Sequence, residues 1–312
     1  MGRALENTLA VLNGLVGDHL SRTKNGLETP MAFMRANEPI LLDRASLAAS
    51  SPALTGRIVV LVHGLMNTEA CWELADGGDY GSYLARDAGF SPFYVRYNTG
   101  LPIADNGVAL ARLLDRLVDA YPVPIEDLLL LGYSMGGLVV RSACHEAVAR
   151  TAPFLPHVKR AIYVGTPHLG APYERAGRLV SAILHAIHDP YTRLIGDIAD
   201  LRSAGLQDLG DADLRHEDRA RRGIGVHLKD WRHPVPLLPG IKHHLIAGSL
   251  SDAPWLHELF GDALVPLGSA LARDSESELS TPARVLQGRN HIALAHDPEV
   301  YEQIRLWAGE SA

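Results

Sequence analysis

One serine in this chain lies between two glycines in a setting that suits nucleophilic chemistry. Gly132-Tyr133-Ser134-Met135-Gly136 carries glycine two positions before and two positions after Ser134. Leu128 to Leu131 precede it as an apolar run, and Gly137 to Ala149 follow with helical spacing. A serine on a sharp strand-to-helix turn is lifted clear of the sheet, and glycines beside it let chain segments approach where a Cβ would clash. The start of the helix also aims free backbone N–H groups and the positive end of its dipole at the same point. A serine hydroxyl is a weak nucleophile at neutral pH. It needs a base within hydrogen-bond reach, and the base needs an acid to orient it.

Both partners are available downstream, in the order Ser, Asp, His. His291 closes Gln287-Gly288-Arg289-Asn290-His291, just after an apolar run, and a helix with Val300, Ile304 and Trp307 on one face follows it. Asp262 lies in Phe260-Gly261-Asp262-Ala263-Leu264-Val265-Pro266, in the loop after the run around residues 243 to 248. There are 15 histidines, so the rivals need weighing. His296 lies further into the following helix, while His243 and His244 begin a strand and so fall at the wrong end of a sheet. Asp252 competes with Asp262 from nearer the strand end, but the Gly-Asp-x-Leu-Val-Pro setting favours Asp262. Two N–H donors must face the oxygen that becomes negative during acyl transfer. Met135, next after Ser134, supplies one. The loop after His63-Gly64 supplies the other, from Leu65 as first choice and Met66 as second. This chemistry needs no cofactor. Asp211, Asp213 and Asp297 lack metal-ligand spacing, so no metal site is expected.

These residues require a scaffold that brings strand ends together. Six short apolar runs end in turn residues: Ile58–Val62, Phe93–Tyr97, Leu128–Leu131, Ala161–Val164, His244–Ala247 and Ala283–Leu286. They read as buried parallel strands. Helical spacing fills 79 to 88, 103 to 121, 135 to 151 and 298 to 309. Strand and helix in alternation predict an α/β fold, a mostly parallel central sheet flanked by helices, with chemistry outside the carboxyl ends of the strands. The core then comprises 57–171 and 242–312. Residues 172–241 interrupt the rhythm and are too long for a simple connection. They are expected to form a helical cap, with an apolar face from Leu179, Val180, Ile183, Leu184 and Ile187 that suits a hydrophobic substrate group. Residues 1–56 are expected to pack on the core. Leu5, Leu9, Leu12, Val16 and Leu20 form one helical stripe there, and 21 to 56 read as loop.

Composition narrows the partners. The net charge of -7 argues against nucleic acid, which wants a basic face. Glu6, Asn7, Asn13 and Asp18 break any leader-like apolar run, and no stretch is long and apolar enough for a membrane span. A cytoplasmic address is the resulting expectation. Peripheral contact with lipid and the oligomeric state are left open. Cys71 and Cys144 show no CxxC pattern and read as two buried free thiols.

Three motifs together resemble the lipase-like serine esterases of the α/β-hydrolase superfamily, nearest to the GPI-inositol-deacylase-like group. They are Leu61-Val62-His63-Gly64-Leu65, Gly132-Tyr133-Ser134-Met135-Gly136-Gly137 and Gly165-Thr166-Pro167-His168-Leu169-Gly170-Ala171-Pro172. The likeness runs from about residue 57 to the end of the chain. It implies Ser134 as nucleophile, His291 as base, Asp262 as acid, and Leu65 and Met135 at the oxyanion positions. His168 reads as a brace for the pocket wall. A small-molecule or lipid ester is the implied substrate. Amide or thioester hydrolysis with the same triad, and a non-catalytic binding module on this fold, are the alternatives. A dehalogenase-type Asp nucleophile is excluded by Ser134.

Overall fold

The computed structural model describes residues 2–24, 26–50, 54–169, 203–211, 213–215, 235–249 and 282–310. Eight described strands form one sheet: β1 (Ala32–Arg35), β2 (Glu38–Pro39), β3 (Arg57–Val62), β4 (Ser91–Arg96), β5 (Asp127–Tyr133), β6 (Val158–Val164), β7 (Lys242–Ser249) and β8 (Ala283–Gln287). Their order is β2-β1-β4-β3-β5-β6-β7-β8. From β4 to β8 every pairing is parallel, with Leu61 beside Leu131 and Tyr163 beside Leu245. The six predicted strands are all present, each within a few residues of its expected bounds. The winding direction changes at β3: β4 lies on one side of it and β5 on the other. That switch point is where a crevice opens at the carboxyl ends of the strands.

The sheet is buried on both faces because its central strands have no polar side to show. In β3, Ile58, Val60 and Val62 join a cluster with Leu110, Leu114, Leu138 and Val139, while Val59 and Leu61 join Trp72, Tyr80, Leu84 and Ile304 on the opposite face. The helices that cover it are α3 (Tyr80–Ala88), α4 (Ile103–Ala120), α5 (Met135–Arg150) and, after the short α7 (His291–Leu294), α8 (Pro298–Ala308). Their bounds agree with the expected helical spacing. Cys71 and Cys144 are free and buried, each within one of these two clusters.

The first 56 residues differ from their reading in two ways. The stretch read as loop contains the β1–β2 hairpin and α2 (Arg44–Ser50). The hairpin turns through Ala36 and Asn37, both with positive φ, and β1 runs antiparallel to β4, which makes the sheet mixed. The helix α1 (Arg3–Thr23) forms, but of its apolar stripe only Leu20 is fully buried. Leu5 is 49% exposed, and Leu9, Leu12 and Val16 are only half-buried. The buried face is Glu6, Val11, Asn13, Gly14, Leu15, Gly17 and Leu20. The reason is close approach. A Cβ on Gly17 would lie 1.8 Å from Asn98 Oδ1, and one on Gly14 would lie 2.3 Å from Met66 Cγ. Only small residues let α1 lie directly on the loop after β4.

The expected cap falls largely outside the described residues, including Leu179 to Ile187. One helix within 172–241 is described: α6 (Ala204–Asp211). It is fixed to the core by buried bonds. Ser203 Oγ donates to Gly14 O at 2.6 Å, the Gly205 amide donates to Gly100 O at 3.0 Å, and Asp208 Oδ2 accepts from the Ile103 amide at 2.9 Å. The last bond supplies α4 with the side-chain cap that its own Pro102 cannot provide. Downstream, Ser142 Oγ donates to Leu214 O, and the Arg141 guanidinium donates to Val235 O.

At the amino end of the sheet, Asp127 of β5 and Arg160 of β6 pair at 3.1 Å, with Arg160 only 1% exposed. Arg160 Nη1 also donates to Trp307 O, Ala308 O and Glu310 O at 2.8, 2.9 and 3.0 Å. A cation at the carbonyl end of α8 is favoured by the helix dipole and satisfies carbonyls that the helix leaves open. Removing one member of a buried pair leaves the other charge uncompensated. Asp127→Ala is expected to lower the unfolding free energy in urea by about 3–5 kcal/mol. A loss under about 1 kcal/mol would mean the pair behaves like an exposed one.

Candidate active site

Ser134 follows β5 and precedes α5, and its backbone has φ 53 and ψ -124. This conformation is uncommon for a residue with a side chain. Its surroundings impose it. The Ser134 amide donates to Val164 O of the neighbouring strand at 2.8 Å, and the Gly137 amide returns to Ser134 O at 3.0 Å. The turn is closed so tightly that a Cβ on Gly136 would meet Val62 O at 2.2 Å. The elbow is thus wedged against the end of β3, and the glycine spacing in the sequence is the signature of that contact.

His291 begins the short helix α7, which Asn290 caps by accepting the Ala293 amide at 2.8 Å. Its Nε2 lies 2.8 Å from Ser134 Oγ. Both residues are buried, at 1% and 2% exposure, so the contact is not diluted by solvent. Two residues hold the ring. Tyr133 Oη donates to His291 O at 3.0 Å, and the two rings lie 5.3 Å apart. On the other side, Gly165 has φ +60, and a Cβ there would come within 3.1 Å of His291 Cε1. Sequence reasoning used Gly165 only as part of a motif. Glycine at the end of a strand was the available signal, and its purpose here is to leave room for the imidazole.

The structure brings Ser134 and His291 together. Met135 is the first residue of α5. Gly64 packs on the serine, since a Cβ on it would lie 3.1 Å from Ser134 Cβ, and Leu65 is the next residue. Neither the Leu65 nor the Met135 amide is bonded among the described residues. The Met66 amide, the second choice, is taken: it donates to Thr99 Oγ1 at 3.1 Å. Thr99, in the loop after β4, was not singled out from the sequence, and no motif marks it. Asp262 and its rival Asp252 lie outside the described residues. The rival histidines are elsewhere. His296 Nδ1 meets Glu73 O at 2.9 Å on the surface, and His243 Nδ1 meets Tyr163 Oη at 3.2 Å.

His63 and His168 flank this region without touching Ser134. His63 is stacked on Tyr97, with ring centroids 4.6 Å apart, and its Nδ1 lies 2.9 Å from Gly64 O. The N–H on Nδ1 therefore ties the ring to the turn that carries Leu65. His168 Nδ1 lies 3.0 Å from Arg141 Nη1. A guanidinium only donates, so Nδ1 accepts and Arg141 holds the ring. Among the described residues no group of three or more His, Cys, Asp or Glu side chains could hold a metal ion, and no helix is long and apolar enough to cross a membrane.

Neither a family model nor a curated protein sequence matches this chain. Solved structures do. The mature form of the lipase BlEst2 from Bacillus licheniformis superposes with a TM-score of 0.51 at 18% identity, over 83% of this chain and 93% of that one. RedJ, solved with a polyethylene glycol molecule in its active site, gives 0.50 at 16% identity over the same shares. The chain has the α/β-hydrolase fold: eight mostly parallel strands with helices on both faces.

Burial also makes the fold acid-sensitive. Loss of solvation pushes His63, His243 and His244 down to about 4, and pushes His168 further down with help from Arg141. In an unfolded chain these imidazoles titrate near ~6.5. Between those values the unfolded chain binds protons that the folded chain refuses. Their contribution to stability is complete above about pH 6.5 and is lost as the pH falls towards 4. Urea unfolding should show a clearly lower free energy at pH 5 than at pH 7.5, with a slope of up to about 1.4 kcal/mol per pH unit for each fully buried histidine. Equal stability at the two pH values would contradict it.

Proposed function

We propose that this chain is a serine hydrolase that cleaves carboxylic esters through an acyl-enzyme, as an esterase or lipase. The single observation that carries the reading is the buried 2.8 Å contact between Ser134 Oγ and His291 Nε2 on an elbow with φ 53. In this reading His291 Nε2 takes the proton as Ser134 Oγ attacks the ester carbonyl. The carbonyl oxygen gains the negative charge and rests on the Leu65 and Met135 amides. His291 then gives its proton to the leaving alcohol, and the acyl group stays on Ser134. A water repeats the sequence with the roles of attack and departure exchanged, releasing the acid.

Asp262 is proposed as the acid that orients His291, on the Ser-Asp-His order and the Gly-Asp-x-Leu-Val-Pro setting. The apolar residues expected in 172–241 favour a hydrophobic acyl group. The three motifs favour the GPI-inositol-deacylase-like branch of the lipase-like esterases. The likeness in fold to BlEst2, a lipase, agrees with ester chemistry.

The test is hydrolysis of p-nitrophenyl esters from acetate to palmitate, with Ser134→Ala, Asp262→Asn and Asp252→Asn beside the wild type. Ser134→Ala should lower kcat by several orders of magnitude. Asp262→Asn should follow it in direction, and Asp252→Asn should stay near wild type. A wild type inert on every ester, but active on matched amides or thioesters, would replace ester hydrolysis with its alternative. Inertness on all three, with no labelling of Ser134 by a fluorophosphonate, would favour the binding module.

A further inference from the structure

A hole for the developing oxyanion, in the proposed reaction, depends on where the turn after β3 points its amides. Leu65 and Met66 belong to the turn after β3, and Met66 has φ 57, a left-handed conformation that a methionine adopts only when held there. Two contacts hold it. Thr99 Oγ1 accepts the Met66 amide at 3.1 Å, and α1 lies against the Met66 side chain at Gly14, where a Cβ would come within 2.3 Å of Cγ and 3.2 Å of Thr99 Oγ1. Met66 and Thr99 are 2% and 1% exposed, so no water competes for the bond.

Thr99 is itself fixed by the loop that carries it. Asn98 Nδ2 donates to Gly17 O of α1 at 2.9 Å, and Asn98 Oδ1 accepts the Gly100 amide at 3.0 Å. Asn106 Nδ2 donates to Asn98 O at 3.0 Å, and the Gly205 amide of α6 donates to Gly100 O at 3.0 Å. Every bond in this chain of contacts is buried or nearly so. It leads from α1 and α6 through the 98–101 loop to the Met66 amide, and stops one residue from Leu65.

We propose that Thr99 is a positioning residue for the oxyanion hole: by binding the Met66 amide it keeps the 65–66 turn in the one conformation that leaves the Leu65 amide facing Ser134. Thr99 touches neither substrate nor reacting atoms and acts through the turn. The inference rests on the proposed function, because it concerns the donor set of that reaction. Valine keeps the size of threonine and loses the acceptor; serine keeps the acceptor. A donor misplaced by a fraction of an ångström stabilises the transition state less and leaves the bound ground state nearly unaffected.

Steady-state kinetics on a p-nitrophenyl ester that the wild type turns over provide the test, at a temperature where every variant is folded by circular dichroism. Thr99→Val is expected to lower kcat by about 10- to 100-fold with KM changed by less than about twofold. Thr99→Ser should return kcat to near wild type. Tyr301→Phe, which removes a 2.6 Å bond to Asp87 on the opposite face, should cost stability and leave kcat alone. If Thr99→Val does not fold, Gly14→Ala crowds Met66 from the helix side and should give the same loss in kcat. A kcat within about twofold of wild type in the folded variant, or a loss that serine fails to restore, overturns the inference while the proposed function stands. A wild type that hydrolyses no ester ends both.

Discussion

Much of the site's geometry depends on the wedging of the Ser134 elbow between the ends of β3 and β6. A non-glycine residue at φ 53 carries strain, and it persists only where its neighbours over-determine it. Here the bond from its amide to Val164 O and the contact of Gly136 with Val62 O do so. Because the three strands are parallel and in fixed register, their carboxyl ends arrive at one place. The hydroxyl and the imidazole beside Gly165 meet there as a consequence of the winding. No long-range fit of separately folded parts is required.

The two ends of the sheet have different duties. At the amino end, Asp127, Arg160 and the carbonyls of α8 form a buried polar knot. At the carboxyl end, strain and open amides gather around Ser134. The buried histidines follow the same division: His244 stacks on Trp307 near the knot, and His63 braces the turn beside the serine.

The core of this arrangement was legible in the sequence because buried parallel strands show themselves as short apolar runs closed by turn residues. Ser134 and His291 were legible because each sits just beyond such a run, and their side chains meet at 2.8 Å. The bond from the Met66 amide to Thr99 was not legible, because Thr99 is remote in sequence and unmarked by any motif. The β1–β2 hairpin was missed because Ala36-Asn37 is a weaker turn signal than Asn-Gly and the strands it joins are short. Helix α1 was visible, but its buried face was not. Leucine periodicity marks the side that favours burial on a broad apolar surface, whereas this helix approaches a polar loop and uses Gly14 and Gly17 to do so.

The anchoring of α6 divides the long insertion into two tethered spans. Residues 203–211 are bonded to α1, to the loop after β4 and to the first turn of α4, so the chain is returned to the core between its departure after β6 and its return to β7. The chain between β6 and β7 is thus pinned part-way along, and a pin part-way replaces one long closure with two shorter ones, each of smaller entropic cost. Length and composition can therefore change in one span without loosening the other. In evolutionary terms, the staple lets one span lengthen or shorten by itself while α6 keeps the shared foundation in place.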